Sequence, residues 1–192
     1  MSRAWRHLRN SLRRLPWAEE GVAAVEFALI LPIMLLIYIG SVEGSALISM
    51  DRRVQSVTGT LGDLVARADS SITRATLDDY FRAAGAIMTP FPATDLKQVL
   101  TQVRVSGGSA TVVWSQRHEH TEEGYVMSQG HPINDSFDLP DEMIAIADNN
   151  YVIVSEVSYS YLPLYGIIFD KPVQLSRENF FMPRFREEIV LR

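Results

Sequence analysis

The sequence predicts an α+β fold: one long N-terminal helix, first membrane-spanning and then amphipathic, packed on a small antiparallel sheet. Three observations predict it. Residues 22–39 are apolar or proline for 18 positions, with Glu26 as the one exception. Beyond them, apolar residues recur at helical spacing as far as Ala68. The rest of the chain breaks into short β-rich runs separated by Gly, Pro and Asn.

The 18-residue run is about 27 Å long as a helix, just enough to cross a bilayer core. Glu26 within it is costly, roughly 2.5–3.5 kcal/mol at the bilayer centre and less near an interface. Pro32 removes one helix hydrogen bond and favours a kink, which membrane helices tolerate. Gly40 and Gly44, with Ser41 and Ser45 beside them, form a small-residue strip suited to close helix packing. Leu47, Met50, Val54, Val57, Leu61, Leu64 and Ala68 then make one apolar stripe, interleaved with Asp51, Arg52, Arg53, Gln55, Asp63 and Arg67. Packing of that stripe on the protein's own sheet is the primary expectation, and a coiled coil with a partner the rival. Gly59 and Gly62 weaken the helix by about 1 kcal/mol each relative to Ala, so a break is expected near them.

Residues 69–71 read as a short link. Thr76 reads as the cap of a second helix, with Asp78 and Asp79 in its first turn. Leu77, Tyr80, Phe81, Ala84, Ile87 and Met88 form its apolar face, and Pro90 and Pro92 end it. Residues 96–105 and 110–116 read as a hairpin turning at Gly107 and Gly108. Residues 118–133 are polar and read as loop. A short helix opens at Pro140 and runs to about Ala147. Asn149 and Asn150 make a turn, and residues 151–161 alternate as a strand with Tyr151, Ile153, Val157, Tyr159 and Tyr161 on one face. A last strand near 180–182 or 188–191 closes the sheet.

The expected organisation is a basic leader (1–21), a transmembrane segment (22–39), its amphipathic continuation (40–69) and an α+β domain (70–192). The domain is long enough for a modest core. The chain has no cysteine, so disulfides and thiolate metal sites are excluded. Five arginines against two glutamates make residues 1–21 net +3, which leaves the remainder at −8 within a total of −5. An acidic body argues against nucleic-acid binding. The basic leader favours a cytoplasmic N-terminus.

Three readings of the N-terminal region follow from composition. One is a secretory signal cut at Gly44-Ser45-Ala46, which would leave a start at Leu47. Another is an uncleaved anchor. The third is a signal cut before the apolar run, so that the anchor is retained. The third is favoured by Gly21 at the boundary, by residues 15–20 separating the arginines from the apolar run, and by Glu26, which is unwelcome in a secretory signal.

The stretch A-A-V-E-F-A-L-I-L-P (residues 23–32), whose Glu26 stands five residues after the Gly21 that ends a basic leader, resembles the processing and assembly signal of type IV prepilins. Its wording is similar to the TadE/TadG branch, pseudopilins of the tight-adherence (Tad/Flp) pilus. The type II secretion pseudopilins use a different, T-L-x-E-type phrase. The resemblance implies a pilin-like fold and cleavage between Gly21 and Val22 by a prepilin peptidase. It implies that Glu26, next to the aromatic Phe27, pairs with the terminal amine of a neighbouring subunit. Two opposite charges in a low-dielectric layer attract strongly and offset each other's burial, so the pair sets register more than net stability. Pro32 is usual in the branch. The resemblance extends less specifically to residues 151–166 and to Met182-Pro183-Arg184. It implies a bacterial inner-membrane protein with a periplasmic C-terminal domain, possible incorporation into the pilus, and as partners the peptidase, other Tad pseudopilins and the assembly machinery. A minor subunit acting in priming, assembly or adhesion is expected. The alternative is a single-pass, membrane-anchored periplasmic binding protein without a filament role.

No enzyme signature is found: G-x-S-x-G, P-loop and H-E-x-x-H are all missing. His118-Glu119-His120 could share a strand face toward a metal. Asp135, Asp138, Asp141 and Glu142 lack the spacing of a calcium loop, and Asn134-Asp135-Ser136 is a chance-prone glycosylation sequon. No catalysis, metal or cofactor is expected.

Overall fold

The computed structural model describes residues 19–163, 166 and 171–192. Two compact units divide the chain, one ending at Gly44 and the other running Ser45–Arg192.

Helix α1, Glu19–Ala66, carries 48 residues without a break. The expected interruption at Gly59 and Gly62 is not there. A Cβ at Gly62 would overlap the ring of Phe181, so the glycine admits a close neighbour instead of ending the helix. Met50, Val54, Val57, Leu61 and Val65 are fully buried in the core. Leu64 is only half-buried, so the stripe departs from its expected course at its last turn. The reason is geometric: a straight helix of 3.6 residues per turn drifts from a strict 3.5 repeat by about 20° per heptad.

Strand β1 (Ser71–Ile72) follows, and helix α2 (Arg74–Gly85) begins at once. The cap of α2 is Thr73, whose hydroxyl accepts from the Thr76 N–H at 3.1 Å. Thr76 is thus the recipient of the cap, a correction that follows from the extended backbone at Thr73. Asp78 and Asp79 consequently fall beyond the first turn, and Asp78 pairs with Arg82 at 2.8 Å. Leu77, Phe81, Ala84 and, on the short 3-10 turn Ala86–Met88, Met88 are buried as expected. Arg53 of α1 holds the segment after α2, donating to the carbonyls of Ile87 at 2.9 Å and Thr89 at 2.7 Å.

The remaining strands are β2 (Leu96–Ser106), β3 (Ser109–Thr121), β4 (Gly124–Gln129), β5 (Ser136–Phe137), β6 (Tyr151–Tyr161), β7 (Val173–Phe181) and β8 (Val190–Leu191). Helix α3, Asp141–Ile146, lies between β5 and β6. The main sheet has the order β4-β3-β2-β6-β7, all antiparallel, with β5 also pairing β3. Gly107 (φ 59°) and Gly108 (φ 77°) both take left-handed conformations, as a two-residue hairpin turn requires. Residues 118–133 are not a loop: β3 continues to Thr121, turns at Glu122-Glu123 and returns as β4. Alternation of polar residues there conceals a strand whose one face is covered by α2. The closing strand is β7, longer than expected. The 190–191 segment pairs instead with β1, in parallel, outside the main sheet.

Two cores lie on opposite faces of this sheet. Met50 to Val65 of α1 and the buried face of α2 pack with Leu96, Leu100, Trp114, Ile153, Val157, Tyr159 and Tyr161. On the other face Val103, Val105, Ala110, Val112, Val152 and Val154 pack with Leu139 and Ala147. A β-bulge divides the allegiance of β3. The partner of Gln102 is Trp114, but that of Val103 is Val112, leaving Val113 as the extra residue. Strict alternation would put Val112 and Trp114 on one face; the bulge sends them to opposite cores.

The C-terminal segment ties the two ends of the domain together. Arg184 N–H donates to the Ala66 carbonyl at 2.8 Å, supplying one of the donors that the end of α1 lacks. Buried Ile189 accepts from Trp114 Nε1–H at 2.7 Å and donates to Gln102 Oε1 at 3.1 Å. The Met182-Pro183-Arg184 motif therefore has a physical role as the closure of α1.

Candidate functional site

The N-terminal part of α1 is built for an apolar surrounding. Val22, Val25, Phe27, Leu29, Ile30, Ile33, Met34, Leu36 and Ile37 are each more than half exposed. This is the one stretch among the described residues that is long and apolar enough to cross a membrane. Exposing so much apolar surface to water would be strongly unfavourable, so a membrane or partner helices must cover it. The segment is a fitting single-pass anchor.

The predicted site residues lie on this helix in order. The Gly21–Val22 bond is in its first turns. Glu26 follows Val22 by four residues, so the two share a face one turn apart, and Glu26 is exposed on it. Phe27 is 62% exposed. Pro32 is inside the helix, which continues through it. Gly40 and Gly44 are half-buried, and a Cβ at Gly44 would meet nothing within 4 Å. The space beside Gly44 is thus open for an approaching helix. Ser41 donates to the Tyr38 carbonyl at 2.8 Å and Ser49 to the Ser45 carbonyl at 2.8 Å, so both hydroxyls are satisfied inside the helix. The leader residues 1–18, including all five of its arginines, lie outside the described residues.

The histidine motif is placed differently from a solvated loop. His118 is 2% exposed, its ring stacked between Phe81 at 5.2 Å and Tyr125 at 5.3 Å. Burial pushes its pKa down, the Asp78 carboxylate opposes this, and Arg82 adds to it. His120 is exposed and meets Tyr125 edge-on at 4.9 Å. The two histidines do share a face, as alternation requires, yet among the described residues no group of three or more His, Asp or Glu could hold a metal ion. This includes Asp135, Asp138, Asp141 and Glu142. Asn134 of the sequon has a positive φ of 67°.

On the sheet face away from α1, His131 Nε2 meets Glu156 Oε2 at 2.6 Å. Glu156 is also the cross-strand partner of Glu178. Partial burial and then this like charge push the Glu178 pKa up, while His131 acts against them. No sequence signal marked this trio, because its members come from three separate segments.

Comparison with known proteins finds the family described as TadE-like protein over residues 21–60. The match begins at the predicted cleavage glycine and covers Glu26, Phe27, Pro32, Gly40 and Gly44. It bears out the TadE-like resemblance for the anchor and the first turns of the amphipathic segment. No curated protein and no solved structure matches the chain.

Proposed function

From a TadE-like anchor over residues 21–60, we propose that this chain is a minor pseudopilin of the Tad pilus apparatus. It enters the inner membrane with its N-terminus in the cytoplasm, held by the arginines of the leader. A prepilin peptidase trims it after Gly21, and Val22 becomes the new N-terminus. The freed amine and the Glu26 carboxylate of a neighbouring subunit then pair in the low-dielectric layer and fix the register of two helices. Ser45–Arg192 forms the exported domain, and the role is structural, in priming, assembly or adhesion, with no catalytic step.

One observation carries this reading: a family-matched helix that places a carboxylate one turn from a predicted N-terminus, on an otherwise apolar exposed surface. Its test is the mature N-terminus, measured by mass spectrometry on protein produced with and without the peptidase. A start at Val22 that requires the peptidase is expected. An intact Met1 in both samples would replace this reading with a membrane-anchored binding protein, and a start at Leu47 with a secreted one.

A further inference from the structure

The main sheet ends at β4 without the devices that normally guard an edge. Its six residues, G-Y-V-M-S-Q, carry no charge and no proline. Edge strands are ordinarily kept from pairing by charges, proline or bulges. The opposite edge strand, β7, carries Arg177 and Glu178. On β4, Tyr125 is 47% and Val126 37% exposed.

Against this edge opens a cleft of about 400 Å³ between α2, the segment that follows it, and strands β2 to β4. Phe81, Phe91, Leu96 and Tyr125 supply apolar walls, exposed Arg82 and Thr89 also line it, and two buried polar side chains, Gln98 and His118, lie among them. These two are register partners on β2 and β3, and each is 2% exposed. Gln98 Nε2 donates to the Phe81 carbonyl at 3.3 Å, but its Oε1 has no hydrogen-bond partner. Neither His118 nitrogen makes a hydrogen bond, and the Asp78 carboxylate lies 3.5 Å from Nε2.

We propose that β4 and the mouth of its cleft form one docking surface for an extended segment of a partner polypeptide, which adds a strand to β4 and stacks an aromatic side chain on Tyr125. In strand addition, main-chain hydrogen bonds supply affinity and side-chain pockets supply specificity. Tyr125 stacks on His118, so it points to the cleft side of the sheet. A side chain directly opposite it on an added strand stands about 5 Å away on that same side. The near-parallel stack of Phe81, His118 and Tyr125 suits a further ring. Exposed Glu122 and Glu123 flank the start of β4. An antiparallel segment therefore fits best with a basic residue at its C-terminal end. This surface does not rest on the pilus reading, because its test reads the folded domain whether or not the chain enters a filament.

The test uses the full chain, ¹⁵N-labelled in detergent micelles. The probe is a synthetic capped heptapeptide of alternating threonine and valine, with a central tyrosine and a C-terminal lysine. Saturable shifts of the Gly124–Gln129 amides are expected below about 1 mM peptide. Replacing the central tyrosine by alanine weakens binding at least about tenfold, and N-methylation of alternate peptide nitrogens abolishes it. In Tyr125→Ala, the tyrosine peptide loses its advantage over the alanine one. Where that variant fails to fold, the peptide series decides alone. Absence of β4 shifts, equal binding of the N-methylated peptide, or β4 shifts that depend only on protein concentration and so identify a second copy as the occupant would each overturn the proposal.

Discussion

At the scale of single residues, charge placement dominates. Glu26 is a carboxylate on an otherwise apolar exposed helix face, where an isolated charge is tolerated only with a partner or near an interface. Glu26→Ala is expected to leave membrane insertion intact, because the helix becomes more apolar, and to impair assembly. Membrane fractionation and pilus counts check this; normal piliation in the variant refutes the pairing role. His118 makes a prediction in pH. Its folded pKa lies below the ordinary value, so protonation favours the unfolded chain. Its contribution to stability is therefore complete above about pH 6.5 and is lost as pH falls through and below that value. Phenylalanine can fill the same stack without titrating. Between pH 7.5 and 5.5, the wild-type melting temperature should fall more than that of His118→Phe. Glu178, whose pKa is raised, contributes in the opposite direction but equally in both proteins, so their difference isolates His118. Equal falls in the two proteins would mean that His118 does not carry the effect.

At the scale of elements, the decisive contacts are between α1 and β7. Arg177 reaches Asp51 at 2.6 Å, Gln55 meets Asn179 at 3.3 Å, and Gly62 receives the ring of Phe181. Alanine at position 62 gains up to about 1 kcal/mol in helix propensity but overpacks the site by about 1–3 kcal/mol. Gly62→Ala should therefore destabilise by on the order of 1 kcal/mol net. In a Phe181→Ala background the same change should stabilise. A double-mutant cycle by urea unfolding measures this coupling, expected to exceed about 0.5 kcal/mol, and a cycle with no coupling would show that the ring does not restrict the glycine. The bulge at Val113 works at this scale too, since it sends Val112 and Trp114, only two residues apart, into opposite cores.

For the molecule as a whole, the last ten residues act as a clasp. Removing residues 183–192 takes away the buried Ile189, the donor to Ala66, and the partners of the Trp114 indole and of Gln102. Loss of a buried isoleucine costs about 2–5 kcal/mol, and each buried polar group left unpaired about 1–3 kcal/mol. The sum rivals the entire stability of an ordinary domain, about 5–15 kcal/mol. The truncated chain should lose its near-ultraviolet circular dichroism and its cooperative melt while the anchor helix persists. A truncation that keeps a sharp melt within about 1 kcal/mol of the full chain would show that the clasp is dispensable.

The sequence by itself determined the features whose signal is local or periodic. The membrane-length run, the misplaced Glu26, the helical stripe through Leu61, the Gly107-Gly108 turn and the alternating strand at Tyr151–Tyr161 each need only neighbouring residues to be read. The elements of the candidate site on α1 were legible for that reason. Tertiary structure alone decided where polar alternation becomes buried strand. His118 reads as loop until α2 covers it and β4 pairs beside it, and nothing near it in the chain announces Phe81 or Gln98. The same holds for Gly62, which reads as a helix breaker until Phe181 arrives from more than a hundred residues away. It holds for residues 190–191, whose parallel pairing with β1 joins distant segments of the unit Ser45–Arg192. Propensity and spacing are properties of a short stretch of chain. Burial, register and close approach are properties of pairs that only the fold brings together.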